Sequence, residues 1–291
     1  EKVGELECSA FQTPEQFHKI PDKSHFAPVS EGWRWGGESF YCWFAAKLKV
    51  TKDMAGKPLF VRPKIEGYEA LLWVNGEPFG TFASKIVFTG HGNHYCNMVK
   101  MSPVEDEVIN LVFEYYAGHS YKGVMPLEDA PLLDYNFSYD GVDICVKNEE
   151  IQEFYFDLVT LNQLAEFLPK DGFRRAQVVN ALYQMHKVLY YSPGDTDPQT
   201  FLEGMRQAKP FMKAVLESEN ADDAPTAFVI GHSHMDTAWL WHVDETVKKC
   251  ARTYSNQLSL MEQYPEYKFI QSSTCHSDMI LTHYPSLFER I

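Results

Sequence analysis

The sequence lacks any apolar run of the roughly 18–20 residues that a bilayer-spanning helix needs. Basic residues are also scarce, because 26 Lys and Arg stand against 40 Asp and Glu and give a formal net charge of -14. Nucleic acids and anionic membranes are bound by clustered Lys and Arg, so we expect neither as a partner. A neutral substrate, such as a sugar, meets no such objection.

Closely spaced cysteine pairs are missing too. The six cysteines are scattered without any CxxC spacing, at Cys8, Cys42, Cys96, Cys145, Cys250 and Cys275. In a chain of 291 residues this usage is typical of reduced structural thiols, and it favours a cytoplasmic setting. The first residue is Glu1, so we expect a processing boundary there and infer nothing about a signal peptide.

Residues 1–148 read as short strands. The segments Phe40–Val50, Tyr68–Val74 and Val108–Tyr116 mix aromatic and β-branched residues over strand-like lengths. Asn75-Gly76 follows the second segment, and both residue types accept the positive φ of a type I′ hairpin turn. No useful helical periodicity occurs before residue 150. The pattern predicts an N-terminal antiparallel β-sandwich, jelly-roll-like, over residues 1–148.

Helical periodicity begins in the next part of the chain. Apolar residues recur at helical spacing in Phe156–Leu168, Arg174–Tyr191 and Phe201–Leu216, and we expect the last of these to break or kink near Pro210. We interpret residues 149–224 as a helical connector.

From residue 225 the rhythm becomes β–α–β. Ala227–Ile230 is fully apolar, as expected of a strand buried on both faces. It is followed by a predicted helix over Val243–Gln263, a strand over Tyr267–Gln271 and a helical stretch over Cys275–Ile291. The order predicts the start of a parallel α/β (β/α) barrel catalytic domain over 225–291. A complete barrel takes about 250 residues, so we expect this one to be truncated.

The residues best suited to chemistry lie in Gly231–Trp241, GHSHMDTAWLW. His232, His234 and Asp236 alternate, and an extended chain turns alternate side chains to one side. Two imidazoles and a carboxylate suit Zn²⁺ or a similar divalent ion. Amidohydrolases and phosphoesterases also carry HxH after a first barrel strand, and histidines can equally be satisfied turn residues.

The residues after the ligands distinguish between families. The segment resembles the opening of the catalytic domain of the glycoside hydrolase family 38 α-mannosidases. The order that precedes it, a β domain and then helices, resembles the cytosolic and bacterial branch of that family. The resemblance covers nearly all of 226–291 and depends on Trp239-Leu240-Trp241, Glu245-Thr246, Ala251-Arg252-Thr253, Leu260-Met261-Glu262, Tyr264-Pro265-Glu266-Tyr267 and Phe269-Ile270-Gln271-Ser272. One departure is His242, where the family usually has Pro.

The resemblance implies roles for individual residues. His234 and Asp236 would be ligands of Zn²⁺ or another divalent cation, His232 would become a supporting residue, and Trp239 would bind substrate. The implied protein is a zinc-dependent, retaining α-mannosidase that releases terminal α-D-mannose from oligosaccharides such as N-glycans. The family's nucleophile and acid/base residue are expected beyond Ile291, so the chain alone is expected to be inactive. Family members often form homo-oligomers.

Two other function classes stay open. One is a different metal-dependent hydrolase of the amidohydrolase or phosphoesterase type, supported by the ligand cluster alone. The other is a non-catalytic carbohydrate-binding protein built on the β domain. Trp33 and Trp35 would then offer a sugar platform, although a plug at the end of the sandwich is the simpler interpretation.

Two further features have simple structural interpretations. His91 and His94 could mimic a metal pair, but a turn between strands accounts for them. Lys248-Lys249 is interpreted as an exposed helix face.

Overall fold

A computed structural model describes residues 1–83, 95–119, 134–192, 194–220, 222–239 and 241–291. The chain forms two compact units, Glu1–Val146 together with Val229–Ile291, and Lys147–Phe228. The predicted division into domains at 1–148, 149–224 and 225–291 stays a prediction. No described helix is both long and apolar enough to cross a membrane.

The first unit contains two antiparallel sheets. One has the strand order β1-β11-β6-β9, with β4 also paired to β11, and the other has the order β3-β2-β5-β10-β7-β8. The strands are β1 Lys2–Leu6, β2 Ser9–Thr13, β3 Ala27–Pro28, β4 Trp33–Gly36, β5 Tyr41–Lys49, β6 Leu59–Ile65, β7 Glu69–Val74, β8 Glu77–Ala83, β9 Asn97–Lys100, β10 Val108–Tyr116 and β11 Asn136–Val146. The prediction of an antiparallel β region is confirmed.

The predicted hairpin is present between β7 and β8. Asn75 and Gly76 have φ values of 52° and 93°, as a type I′ turn requires of both central residues. The hairpin matters for the site because β7 and β8 supply one wall of the cavity described below.

Strand β5 is apolar on both faces over residues 41–46 because each face borders a different core there. Cys42 and Phe44 belong to the core shared by the two sheets. Tyr41 and Trp43 point to the other side and pack with apolar residues of the C-terminal helices. Successive side chains of a strand point to opposite faces, so a single strand holds together three layers, two of sheet and one of helices.

The C-terminal part of the first unit has three helices, α4 Val243–Gln263, α5 Thr274–His283 and α6 Pro285–Arg290. The bounds of α4 match the prediction. Asp244 and Glu245 lie in its first turn, where carboxylates interact favourably with the helix dipole.

The strands of this part are shorter than predicted. A parallel pair is formed by β12 Gly231–His232 and β13 Phe269–Ile270. The strand predicted over Ala227–Ile230 is wrong, because these residues form no strand and Phe228 and Val229 are 90% and 89% exposed. Their apolar character suggested burial between neighbours, but the described residues supply only a two-residue partner. The barrel therefore stays a prediction.

The described residues of the second unit form three helices, α1 Glu149–Phe167, α2 Phe173–Val188 and α3 Pro198–Leu216, packed around their own apolar core. Asn148 and Asp197 cap the N-termini of α1 and α3 by accepting backbone N–H groups. Helix α3 continues through Pro210 without a break. Arg206 of α3 pairs with Glu150 of α1 at 3.0 Å.

Candidate metal centre and adjoining cavity

The motif loop, residues 233–242, connects β12 to α4. Its entry is fixed at Gly231, whose N–H donates to the Lys268 carbonyl at 2.8 Å. The Tyr267 ring lies against the same glycine, and a Cβ there would be 2.5 Å from the Tyr267 hydroxyl oxygen. Glycine therefore lets the Tyr267 ring pack directly against the start of β12, where a larger residue would have to displace the ring.

The structure brings together two of the three candidate ligands. His234 Nε2 and Asp236 Oδ1 lie 3.2 Å apart and both side chains line one cavity. His232 lies in β12, is exposed and does not line that cavity. Over the described ranges, no group of three or more His, Cys, Asp or Glu side chains could hold a metal ion. The structure thus pairs His234 with Asp236 apart from His232, and their role as ligands stays a prediction.

The donor pair fits a zinc-type ion. An imidazole nitrogen and a carboxylate oxygen are standard zinc ligands, with bonds of about 2 Å in tetrahedral geometry. Two atoms so placed are separated by roughly 3.3 Å, close to the 3.2 Å between His234 and Asp236. Without an ion the same contact is a hydrogen bond. The side chains are 83% and 44% exposed, so an ion could reach them.

Thr246 holds the second half of the motif loop. This fully buried residue of α4 accepts two hydrogen bonds at its hydroxyl oxygen, from the Ala238 N–H and from Trp241 Nε1, both at 3.1 Å. Ala238 has φ of 58°, an uncommon conformation for a residue with a side chain. The Thr246 contacts therefore stabilise an otherwise unfavourable turn directly after the ligands.

A buried histidine holds the first half. His276, 2% exposed, contacts the Thr237 hydroxyl at 2.7 Å through Nε2 and the Gln271 amide at 3.4 Å through Nδ1. Burial lowers its pKa, which favours the neutral imidazole. Which nitrogen carries the proton depends on the orientation of the Gln271 amide.

A cavity of about 420 Å³ adjoins the candidate ligands. Its walls come from the β7–β8 hairpin, from the motif loop and from one face of α4. The lining residues are Tyr68, Glu69, Thr81, Ala83, Ser233, His234, Met235, Asp236, Trp241, Lys249, Arg252, Thr253, Asn256 and Gln257. The antiparallel sheet thus contributes directly to the site, which the sequence motifs did not indicate.

A largely buried ion-pair network contributes to the cavity lining. Glu69 of β7 contacts Lys249 Nζ at 2.5 Å and Arg252 Nε at 2.9 Å, and Arg252 also pairs with Glu245. Burial alone would raise the pKa of Glu69, but the charges of Lys249 and Arg252 hold it at about 2. Glu69 therefore stays ionised at neutral pH and is unsuited to donate a proton.

A second ion pair fixes α4 on the sheet. Lys248 Nζ and a Glu114 oxygen lie 2.5 Å apart with both side chains fully buried, and Trp73 Nε1 donates to Glu114 at 3.2 Å. Desolvation lowers the pKa of Lys248 and raises that of Glu114. The prediction that Lys248-Lys249 forms an exposed face is wrong, because acidic partners on the sheet compensate both charges.

The two tryptophans of the motif occupy different environments. Trp239, the predicted substrate-binding residue, is 59% exposed and packs edge-on against Trp241, with ring centroids 5.6 Å apart. Trp241 lines the cavity, and Lys249 Nζ lies 4.4 Å from its ring centroid. Trp239 does not line the cavity, and its role stays a prediction.

The remaining sequence candidates lie elsewhere. Trp35 is buried in the core between the sheets and packs edge-on against Phe44, as expected of a structural residue, and Trp33 is partly buried against the same core. His91 and His94 lie outside the described residues. All six cysteines are free.

Comparison with known families identifies the C-terminal segment. Residues 224–291 match the family described as Glycosyl hydrolases family 38 N-terminal domain. The resemblance to family 38 is confirmed. The family match includes the motif loop and α4, so the candidate ligands and the polar face of α4 lie within the family 38 segment.

Two curated relatives extend over more of the chain. Alpha-mannosidase 2C1 of Homo sapiens is 27% identical over 97% of the chain, and Alpha-mannosidase G of Dictyostelium discoideum is 29% identical over 88%. The alignments cover 26% and 23% of those proteins, so the chain spans about a quarter of their length. A solved structure, Ruminococcus gnavus Beta-glucuronidase, is 12% identical over 51% of the chain and 28% of its own, with a TM-score of 0.33. That likeness is too loose to support a conclusion.

Proposed function

We propose that the chain supplies part of the active site of a zinc-dependent, retaining α-mannosidase that removes terminal α-D-mannose from oligosaccharides. The observation that carries the proposal is the pairing of His234 with Asp236 at 3.2 Å in a cavity of a family 38 segment. The two similar proteins named as alpha-mannosidases supply the substrate class. The free cysteines support a cytoplasmic setting.

His234 and Asp236 would hold the metal. When bound, zinc would supply a Lewis acid that orients and polarises sugar oxygens. Thr246 and His276, acting through the loop backbone and Thr237, keep the ligands at the end of β12. These contacts would reduce the ordering that the ligands must undergo when an ion binds.

We further propose that the chain alone does not hydrolyse mannosides. Retaining hydrolysis needs two carboxyl groups about 5–5.5 Å apart, one as nucleophile and one that donates and then accepts a proton. The carboxylates that line the cavity are Asp236, a proposed metal ligand, and Glu69, an ion-paired anion. Neither is free to act as acid, and we assign no residue of the chain as nucleophile.

The test uses a protein of the relatives' length that carries this sequence. We expect it to cleave an aryl α-mannoside, and we expect a chelator or Asp236→Ala to abolish the cleavage. Aryl phosphate and aryl amide substrates distinguish the other metal hydrolases, because cleavage of either with no mannosidase activity would refute the proposal. Turnover of the mannoside by residues 1–291 alone would refute the inactivity of the chain.

A binding protein without catalysis is the second candidate. It is favoured by one observation, the lack of a usable pair of catalytic carboxylates among the lining residues. It predicts mannoside binding that survives Asp236→Ala and chelation, whereas the mannosidase proposal predicts binding that depends on both.

A further inference from the structure

A polar stripe runs along the cavity face of α4. Lys249, Arg252, Thr253, Asn256 and Gln257 follow the spacing i, i+3, i+4, i+7, i+8, which places them on one side of a helix, and all five line the cavity. Lys249 and Arg252 are neutralised by ion pairs with Glu69 and Glu245. The other three side chains of the stripe, Thr253, Asn256 and Gln257, are uncharged.

The two amides at the far end of the stripe have unused donors. The Asn256 side-chain oxygen accepts from Asn97 Nδ2 at 3.3 Å, and the Gln257 oxygen accepts from the Tyr267 hydroxyl at 2.7 Å. Their NH₂ groups make no hydrogen bond within the described residues. With each carbonyl oxygen bound to protein, the NH₂ groups are left for a ligand. Arg252 Nη1, buried beside them, also has no hydrogen-bond partner among those residues.

Another part of the lining comes from the antiparallel sheet. Thr81 and Ala83 of β8 line the cavity while Phe82 between them is buried in the sheet core, as alternation along a strand requires. Tyr68 adds an aromatic ring immediately before β7. Neutral amide donors and an aromatic ring that line one cavity suit a pyranose, whose hydroxyls accept hydrogen bonds and whose C–H face is apolar.

We propose that this part of the cavity is a subsite for the sugar on the leaving-group side of the scissile bond, with Asn256 and Gln257 as its specificity-determining donors. The inference rests on the proposed function. If the metal pair holds a terminal mannose, the only sugar attached to it is the leaving group. The cavity volume of about 420 Å³ lies within the roughly 300–1,000 Å³ of pockets that hold drug-sized ligands. The β7–β8 hairpin would then contribute to substrate specificity.

The test measures sugar binding to the zinc-loaded chain of 291 residues, which needs no turnover. Methyl α-mannoside and the α-1,2-, α-1,3- and α-1,6-mannobioses are titrated by calorimetry, and ¹H–¹⁵N spectra follow the side-chain NH₂ signals of Asn256 and Gln257. We expect at least one mannobiose to bind tighter than methyl α-mannoside and to shift those signals, which the monosaccharide leaves unchanged.

Variants separate recognition from folding. Gln257→Glu keeps the shape and replaces donors by acceptors, and Asn256→Ala removes the amide. Loss of one hydrogen bond should weaken mannobiose binding about tenfold and leave methyl α-mannoside binding unchanged. Gln263→Ala, on the same helix but outside the cavity lining, is the matched control and should have no effect.

Zinc binding, measured on the same samples, keeps the two proposals apart. Suppose that zinc binds to His234 and Asp236 but the zinc-loaded chain binds mannobiose and methyl α-mannoside equally tightly, or binds neither. Either result would overturn the subsite and leave the metal proposal standing. Tighter binding of a phosphorylated sugar than of any mannobiose would also overturn it. Absence of zinc binding would count against the proposed function, and the subsite would fall with it.

Discussion

Replacing Glu69 by Gln should destabilise the first unit. Glu69 is the residue of β7 that forms ion pairs with Lys249 and Arg252 of α4. Those two side chains are 13% and 3% exposed, so the change leaves buried positive charge with less compensation. The glutamine keeps the shape of the side chain, and the loss therefore reports on charge instead of packing.

The magnitude follows from two independent arguments. Removing one partner of a buried ion pair costs about 3–5 kcal/mol, and the lower end applies because Arg252 retains Glu245. Shifting the Glu69 pKa from 4.5 to about 2 corresponds to about 3 kcal/mol. Because the pKa is depressed in the folded state, this stability is fully present above about pH 4.5, the unfolded value, and is lost as the pH falls towards 2.

The assay is urea unfolding followed by tryptophan fluorescence. All six tryptophans, Trp33, Trp35, Trp43, Trp73, Trp239 and Trp241, lie in the first unit, so the signal reports on that unit alone. We expect Glu69→Gln to lower its unfolding free energy by about 3 kcal/mol at pH 7, and the difference to shrink by about 1 kcal/mol at pH 3.5.

The control is Glu5→Gln, which removes an exposed partner of Lys2 and should change nothing measurable. A difference between Glu69→Gln and the native chain below about 0.5 kcal/mol at pH 7 would refute the reasoning, since that is typical of exposed ion pairs.

Three further changes probe the supports of the site. Thr246→Val removes the acceptor of the Ala238 and Trp241 hydrogen bonds and should weaken zinc binding measured by chelator competition, whereas Thr246→Ser should restore it. Gly231→Ala places a methyl group against the Tyr267 ring and should lower the thermal midpoint of the tryptophan signal by several degrees; an unchanged midpoint would contradict the close approach. Lys248→Met leaves Glu114 buried without its cation and should lower the unfolding free energy by about 3–5 kcal/mol. If the ion pair is the cause, the double change with Glu114→Leu should recover most of that loss.

Local signals in the sequence predicted local structure well. The apolar stripe of α4, its acidic first turn and Pro265 were enough to give both ends of the helix. Asn75-Gly76 predicted the β7–β8 turn because a type I′ turn restricts its residues strongly. In both cases the determining residues lie next to the element that they define.

Burial and partners over long distances could not be predicted in the same way. Lys248 looks like an exposed helical residue until Glu114, 134 positions earlier, is placed beside it by the fold. The wall formed by Tyr68 and Glu69 depends on the same packing of α4 against the sheet. The sequence feature that could have indicated this packing is the polar stripe from Lys249 to Gln257, which lies beside the apolar stripe of α4. A polar face at helical spacing is normally solvated, so the sequence alone does not distinguish the two.

The ligand motif is intermediate between these cases. Alternation in an extended chain predicted that His232, His234 and Asp236 would face one point. Among the described residues of the motif, Gly231 and His232 form the strand β12, and His234 and Asp236 meet without His232. The family resemblance implies the same two ligands.

The central claim is that His234 and Asp236 are ligands of a zinc site. The direct measurement is zinc affinity of the chain by competition with a chromophoric chelator, for the native sequence and for His232→Ala, His234→Ala and Asp236→Ala. We predict one zinc ion per chain, an affinity reduced at least about tenfold by the changes at His234 and Asp236, and no effect of His232→Ala. Zinc binding that depends equally on His232, or that ignores Asp236, would contradict this account.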